Sequence, residues 1–295
     1  EWIDTTIQHV ECQVINSRKI NVRVIMDINC MVEDIFDIEL PMDARGSSDV
    51  QMLKEKFNAK ELTGLMKDKY TIKEEIDLGA DKPAVEEVLK TDFNASIKDW
   101  VVMEGKLQIN GVLNFKLLYK CPDISIESYE GEVPFSEYIE IPEAESNMDS
   151  TADLQLKDCY MDVTQNEEGE NKHLSINASM DLTGKTYKDM DPEILSDLYS
   201  PTSELHVEKC GYEFDEFIGR GTANAVIKES LNINPKSPEV EKVCCVDAKA
   251  IVNEVKVMDD KVAVEGMLDV DCIYASSFSG EPMTTAKEQY PFKSV

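Results

Sequence analysis

The chain has 295 residues, 42% of them hydrophobic, so it can bury an apolar core and is long enough for roughly two domains. Its 59 acidic and 30 basic residues give a formal charge of −29, which argues against binding to nucleic acid or to an anionic membrane surface. No apolar run approaches the roughly 18 residues of a membrane-spanning helix, so no membrane insertion is expected.

Two alternating strands are predicted near the amino end, VECQVI at residues 10–15 and INVRVIMDI at residues 20–28. The same pair returns later in the chain, as CYMDVT at 159–164 and LSINASMDL at 174–182. The second strand of each pair carries the dipeptide Met-Asp at the same place. The amino end is therefore interpreted as part of a unit that occurs again further on.

The middle of the chain is predicted to be a series of strands. The stretch KLQINGVLNFKLLY at 106–119 alternates apolar with polar residues, and Glu104-Gly105 before it suits a hairpin turn. Alternation of this kind favours a mainly β fold, an antiparallel β-sandwich or a barrel-like sheet. The other strands predicted in this region are 72–78, 96–103, 124–133, 154–164 and 172–183.

Two connecting stretches are predicted to contain short helices. The stretch MLKEKFNAKELTGLM, at 52–66, has helix-forming composition. In MDPEILSDLY, at 190–199, Asp191 suits a helix N-cap and Pro192 the first turn.

An internal repeat organises the chain. Residues 64–119 align without a gap on residues 219–274, and 16 of the 56 positions are identical, against about three or four by chance. Gly111 and Gly266 match in mid-strand, where glycine indicates a bulge, a bend or close approach of another backbone, and we expect a bulge or a bend.

The repeat divides the chain into one complete unit and two halves. Either the sequence is a piece of a longer chain, or something else completes the halves. The predicted segments are the back half of a first repeat at 1–45, a connector at 46–70, a complete repeat at 71–190, a connector at 191–220, and the front half of a third repeat at 221–295.

The sequence contains no motif that calls for catalysis or for a cofactor. No GxSxG elbow, Walker loop or HExxH motif is present, and His9, His173 and His206 lie in unrelated contexts. We therefore expect no enzyme, no metal site and no cofactor. Residues 121–171 contain 15 carboxylates and a single basic residue, Lys157. This stretch is expected to be a solvated face, with a docking surface for a basic partner or a cation-bridged contact as alternatives.

The eight cysteines are widely spaced and include no CxxC pair. Several fall in predicted strands, where a free buried cysteine behaves as a small hydrophobic residue. The alternative is cross-linking between molecules, for which the adjacent pair Cys244 and Cys245 is the best candidate, because neighbouring cysteines rarely bond to each other.

A set of residues recurs in two copies along the chain. The set is Gly111, Tyr119, Pro134 and Phe135 in residues 72–141, and Gly266, Tyr274, Pro291 and Phe292 in residues 227–292. The second copy departs at Asp259-Asp260, where the first has the Glu-Gly turn. Together these features resemble the SPOCS domain (SipL-like) of spore coat and spore morphogenetic proteins of anaerobic endospore-forming bacteria.

The resemblance implies a structural protein of the endospore outer layers, coat or exosporium, that is made in the mother-cell cytoplasm. Such a protein acts by self-assembly and by contacts with other spore coat proteins, and cysteine cross-links would strengthen its layer. No LysM-like segment is visible, so binding to peptidoglycan is not implied. The alternative is a monomeric adaptor that tethers a spore morphogenetic protein to the forming coat.

The half repeats suggest how copies would associate. If residues 221–295 of one molecule met residues 1–45 of the next, each junction would rebuild a whole domain. A head-to-tail contact of this kind need not close, and it would produce a ring, a filament or a sheet.

Overall fold

The computed structural model describes residues 2–32, 34–46, 49–209, 211, 223–276 and 283–295. Strands account for all the regular structure in these ranges, and none of the described residues is helical. The strands are β1 (Trp2–Asn16), β2 (Lys19–Met31), β3 (Gln51–Lys56), β4 (Ala59–Asp77), β5 (Glu87–Met103), β6 (Lys106–Lys120), β7 (Ile126–Glu140), β8 (Asp149–Gln165), β9 (Asn171–Met190), β10 (Glu193–Tyr199), β11 (Lys242–Met258), β12 (Lys261–Ala275) and β13 (Met283–Ser294).

The strands pair in an antiparallel sense throughout the described residues, which confirms the predicted type of sheet. The chain divides into two compact units, Glu1–Phe57 with Pro192–Gly211, and Asn58–Asp191 with Tyr212–Val295. The first unit holds two two-stranded sheets, β1-β2 and β10-β3. The second unit holds three three-stranded sheets, ordered β4-β9-β8, β5-β6-β7 and β11-β12-β13. None of these sheets closes into a barrel within the described ranges.

Two sheets of the second unit share one hydrophobic core and form a β-sandwich. Leu107, Leu113 and Phe115 contribute to this core from β6, and Leu174 and Ile176 contribute to it from β9. On both strands the buried side chains are mainly every second residue, because successive side chains of a strand point to opposite faces of the sheet.

The predicted helical connectors are wrong. β3 lies where the first helix was expected, and β10 lies where the second helix was expected. The two strands pair with each other, from Gln51 opposite Tyr199 to Lys56 opposite Glu193. The rest of the first connector belongs to β4, which pairs with β9. Strand pairing satisfies the backbone groups of both connectors at once, and this tertiary contact outweighs a weak local helix preference.

The two hairpin turns that correspond in the repeat use different residues for the same backbone conformation. Gly105 has φ of 71° between β5 and β6, and Asp260 has φ of 61° between β11 and β12. Aspartate is one of the few residues other than glycine that tolerate this left-handed region, so the departure from Glu-Gly preserves the turn.

No helix among the described residues is long and apolar enough to cross a membrane.

Candidate functional site

The residues that carry the resemblance are brought together in pairs. Gly111 on β6 lies opposite Phe135 on β7, and Gly266 on β12 lies opposite Phe292 on β13. A Cβ atom at residue 111 would be 2.2 Å from Cζ of Phe135, and one at residue 266 would be 2.8 Å from Cζ of Phe292. Each glycine therefore provides the space in which the phenylalanine ring of the Pro-Phe motif lies.

A bulge accompanies each of these glycines on the other neighbouring strand. The pairing of β5 with β6 shifts register just after Ile97, the residue opposite Gly111. The pairing of β11 with β12 shifts just after Val252, the residue opposite Gly266. The carbonyl oxygen of Ser96 lies 2.7 Å from where a Cβ at residue 111 would be, so backbone as well as ring approaches the glycine.

The two tyrosines make the same hydrogen bond in both copies. The Tyr119 hydroxyl donates to the Pro83 carbonyl at 3.3 Å, and the Tyr274 hydroxyl donates to the Pro238 carbonyl at 3.2 Å. Both tyrosine side chains are fully buried. Each bond fixes the segment that leads into the first strand of its sheet.

The prolines of the Pro-Phe motif occupy positions where a strand can accept them. Pro134 lies on β7 opposite Val112, and Pro291 lies on β13 opposite Met267. Both strands are at the edge of a three-stranded sheet, so the missing N–H does not interrupt a ladder on both sides.

The apolar face of β2 is exposed, although the matching face of β9 is the centre of the core. Val22 is 56% exposed and Met26 is 50% exposed, whereas their counterparts Ile176 and Met180 are each 1% exposed. Val10 and Val14 of β1 pair with β2 residues on the same face and are exposed as well. The exposed residues on this side of β2 are Ile20, Val22, Val24, Met26 and Ile28, and their counterparts on β9 are Leu174, Ile176, Ala178, Met180 and Leu182.

A second apolar face is open at the hairpin end of β11 and β12. Val262 is 45% exposed, whereas its counterpart Leu107 is completely buried. Val255 and Val257 of β11 lie beside this position and are more than half exposed. We call this the β12 face, defined by Val255, Val257, Val262, Val264 and Leu268, and we call the exposed apolar side of β2 the β2 face.

The sheet of the half repeat contacts the complete repeat through its first strand. Lys90 of β5 forms ion pairs with Asp92, at 2.7 Å, and with Asp247 of β11. Burial alone would lower the pKa of Lys90, but hydrogen bonds to Asp247 and Asp92 outweigh it, and the pKa is raised. Lys242 pairs with Glu127 at the same contact.

The cysteine pair predicted to cross-link molecules lies inside this contact. Cys244 and Cys245 are 3% and 8% exposed, and they pack against Leu118 of β6. Burial raises the pKa of both thiols, which reduces the thiolate fraction available for oxidation. In contrast, Cys12 and Cys30 of the first unit are exposed. Cross-linking at Cys244 and Cys245 stays a prediction, and it would require this contact to open.

One cluster of the contact has the residue types that bind metals. The side chains of Asp92, Cys245 and Asp247 place one ligand atom each within 4.8 Å of one another. The ammonium group of Lys90 already pairs with both carboxylates of this cluster. A cation bound at this cluster would have to compete with that lysine for both carboxylates. The absence of a metal site stays a prediction.

His173 and carboxylates of the acidic stretch 121–171 take part in ion pairs between neighbouring strands. His173 Nδ1 lies 2.7 Å from Asp77, and His173 Nε2 lies 2.9 Å from Glu75, so this histidine links β9 to β4. The hydrogen bond with Asp77 raises the pKa of His173. Within the acidic stretch 121–171, carboxylates such as Glu130 lie on the polar side of strands and pair with single lysines.

Sequence reasoning missed the contact between the two sheets. Lys90, Lys242 and Glu127 belong to no sequence pattern, because each meets a partner that lies more than a hundred positions away in the chain. A signal existed only for Asp92 and Asp247, which are identical in the repeat alignment. The alignment also contained the signal for the β2 face.

One of the comparisons with known proteins found a match. The family model described as SipL, SPOCS domain, matches residues 84–164 and 239–295. The two matches begin at positions that correspond in the repeat, at the segments that lead into β5 and β11. No curated protein and no solved structure matches the chain. The two matched stretches carry the SPOCS domain, which suggests a role related to sporulation.

Proposed function

We propose that the protein is a structural component of the endospore outer layers, coat or exosporium, made in the mother-cell cytoplasm. It acts by self-assembly and by contacts with other coat proteins, and it is not an enzyme. The residues of the family signature support this reading, because they build the sheets: glycine receives a phenylalanine ring, and tyrosine anchors a connecting segment. None of these roles requires a ligand.

One observation carries the proposal. The β2 face exposes apolar side chains whose counterparts in the complete repeat are fully or almost fully buried, and on the β12 face Val262 is 45% exposed where its counterpart Leu107 is completely buried. Exposed contiguous apolar surface on a folded protein indicates a site of contact with another protein. A chain that offers two such faces can bind on two sides, which is what a layer-forming protein needs.

The charge of −29 sets the conditions under which such contacts form. Copies with this charge repel each other. At 0.1 M ionic strength, salt largely screens this repulsion between charges that are more than about 10 Å apart. Assembly driven by apolar faces should therefore increase as salt is added, whereas association driven by opposite charges would decrease.

The test is the state of association of the purified protein. Sedimentation velocity and negative-stain electron microscopy at micromolar concentration, at low and high salt and with and without reductant, should show ordered oligomers. Assemblies that survive in reductant require no disulfide, and assemblies that disappear in reductant would identify cysteine cross-links as essential. Monodisperse monomers under every condition would contradict self-assembly.

The second candidate function is a monomeric adaptor that tethers a spore morphogenetic protein to the forming coat. The observation that favours it is the density of carboxylates between residues 121 and 171, which suits a basic partner. This function predicts one dedicated partner in a pull-down from sporulating cells, binding that weakens with salt, and no ordered self-association.

A further inference from the structure

We infer that the β2 face of one copy covers the β12 face of a second copy, so that each junction rebuilds one SPOCS sandwich. The inference rests on the proposed self-assembly and specifies its partner, a second copy of this chain. Both faces belong to the same sequence, and the complete repeat shows how their counterparts fit together.

The complete repeat supplies the geometry. In its sandwich, the sheet β4-β9-β8 and the sheet β5-β6-β7 bury one core between them. A Cβ at Gly184 of β9 would lie 2.9 Å from Cδ2 of Leu107 on β6, so these two positions face each other across the core. The indole Nε1 of Trp100 donates a hydrogen bond to Ser150 Oγ at 3.0 Å, which joins β5 to β8.

Each half in this chain matches one side of that sandwich. β1 and β2 correspond to β8 and β9, and β11, β12 and β13 correspond to β5, β6 and β7. The aligned core positions stay mainly apolar on both sides, with Val24 in place of Ala178 on one side and Val262 in place of Leu107 on the other. Cores tolerate exchange among hydrophobic residues when the pattern is kept.

The third strand of the junction is already attached to the half repeat. In the complete repeat, β4 pairs with β9, with Ile72 opposite Ala178. The segment 223–233 matches β4 in the repeat alignment, but its residues form no strand here, and Val226 is 81% exposed. It lies next to β13, where the Tyr290 hydroxyl donates to the Ser230 carbonyl at 3.0 Å.

This segment can pair with the second copy. Transferring the pairing of β4 with β9 places Ile227 opposite Val24 of the other copy, and Leu231 opposite Ile20. The contact would add a strand to the edge of β2 as well as cover its face, so backbone hydrogen bonds set the register. The two surfaces that meet are different, so a dimer still has one free β2 face and one free β12 face. Further copies can therefore add at both ends of the assembly.

A native cysteine allows a direct test. Cys30 corresponds to Gly184, and Val262 corresponds to Leu107, so the junction places residues 30 and 262 of different copies in side-chain contact. In Val262→Cys, oxidised glutathione should accept the two electrons as the thiols lose their protons and form a disulfide, releasing two reduced glutathione molecules. Mass spectrometry should identify the peptide that joins Cys30 to the new cysteine, and a non-reducing gel should show a ladder.

Matched variants decide the origin of the ladder. Lys261→Cys places the thiol one residue away on the opposite side of β12, and it should give no link to Cys30. Adding Cys30→Ser to Val262→Cys should abolish the ladder, while circular dichroism confirms that both variants remain folded.

The outcomes separate this inference from the proposed function. Assemblies of Val262→Cys that sediment normally but contain no link to Cys30 would overturn the junction and leave self-assembly intact. A link found only within monomers would show that one copy closes on itself, and it would also overturn the inference. Absence of any assembly would contradict self-assembly and the junction together.

Discussion

The ring of Phe135 lies over Gly111 so closely that a Cβ at residue 111 would be 2.2 Å from its Cζ, and Phe292 takes the same place over Gly266. Nothing larger than hydrogen fits at either position. The glycine and the Pro-Phe motif therefore act together: one strand has no side chain at this position, and the phenylalanine ring of the neighbouring strand fills the space.

Replacement of this glycine should destabilise the complete repeat. We expect Gly111→Ala to lower the free energy of unfolding by about 1–3 kcal/mol, because the added methyl group must displace both the ring of Phe135 and the backbone at Ser96. Urea denaturation followed by circular dichroism measures the change. Gly46→Ala is the control, since a Cβ at residue 46 meets nothing within 4 Å. Equal midpoints for the two variants would contradict the close packing.

Tyr119 should make stability depend on alkaline pH. Burial raises the pKa of Tyr119 from its ordinary value of 10.0 to about 12. The folded state therefore binds this proton more tightly than the unfolded state, and the stability that results is present below pH 10 and lost as pH rises towards 12. The urea midpoint of the unchanged protein should fall across this window, and Tyr119→Phe should show a smaller fall. Parallel curves for both proteins would contradict the assignment.

The thiols should fall into two classes. Cys12 and Cys30 should react with iodoacetamide quickly, and Cys244 and Cys245 slowly, because burial limits access and raises the pKa of the latter two. Peptide mass spectrometry after timed labelling distinguishes them. Equal rates for all four would show that the contact around β11 is open in solution.

Lys90 should control access to the buried pair. Lys90→Ala removes the cation between Asp92 and Asp247, and it should speed labelling of Cys245 about 1.4- to 5-fold, as expected for a partly exposed ion pair of about 0.2–1 kcal/mol. Lys172→Ala, whose partner Glu170 lies in the turn before β9, serves as the matched control and should leave the rate unchanged.

A proline should distinguish a strand that forms on association from one that already exists. Lys228→Pro falls in the segment that forms no strand in one copy, so the variant should keep its circular dichroism spectrum and its urea midpoint. It should lose self-association, because proline lacks the N–H that a strand pairing needs. Lys228→Ala should associate normally. A proline variant that associates as well as the alanine variant would exclude strand addition at this segment.

The predictable parts of the fold were those that depend on local alternation. The pattern of residues 106–119 was sufficient to predict β6, and the turn at Glu104-Gly105 is present. The reason for the glycine could not be read in the same way, because the identity of the residue that covers Gly111 depends on the register of β7. A bulge was expected, and one lies on the neighbouring strand rather than on β6 itself.

The errors arose where local signals and tertiary pairing disagree. Asp191 and Pro192 are good helix-start residues, yet the residues that follow them form β10 because β3 is available as a partner. The contact of Lys90 with Asp247 was unpredictable for a related reason, since it joins strands 157 positions apart. The two apolar faces were foreseeable, because the repeat alignment already matched them to a core.

Two double variants, each of which blocks one face, test the head-to-tail junction most directly. Val22→Asp with Met26→Asp blocks the β2 face, and Val255→Asp with Val262→Asp blocks the β12 face. All four side chains are exposed in a single copy, so neither variant buries a charge and both should stay folded.

Sedimentation velocity should then find each variant monomeric on its own. An equimolar mixture should form heterodimers that grow no further, because the junction uses the one intact face of each variant and leaves only the two blocked faces free. Assembly of either variant alone to the size reached by the unchanged protein, or a mixture that remains entirely monomeric while the unchanged protein assembles, would contradict the head-to-tail junction.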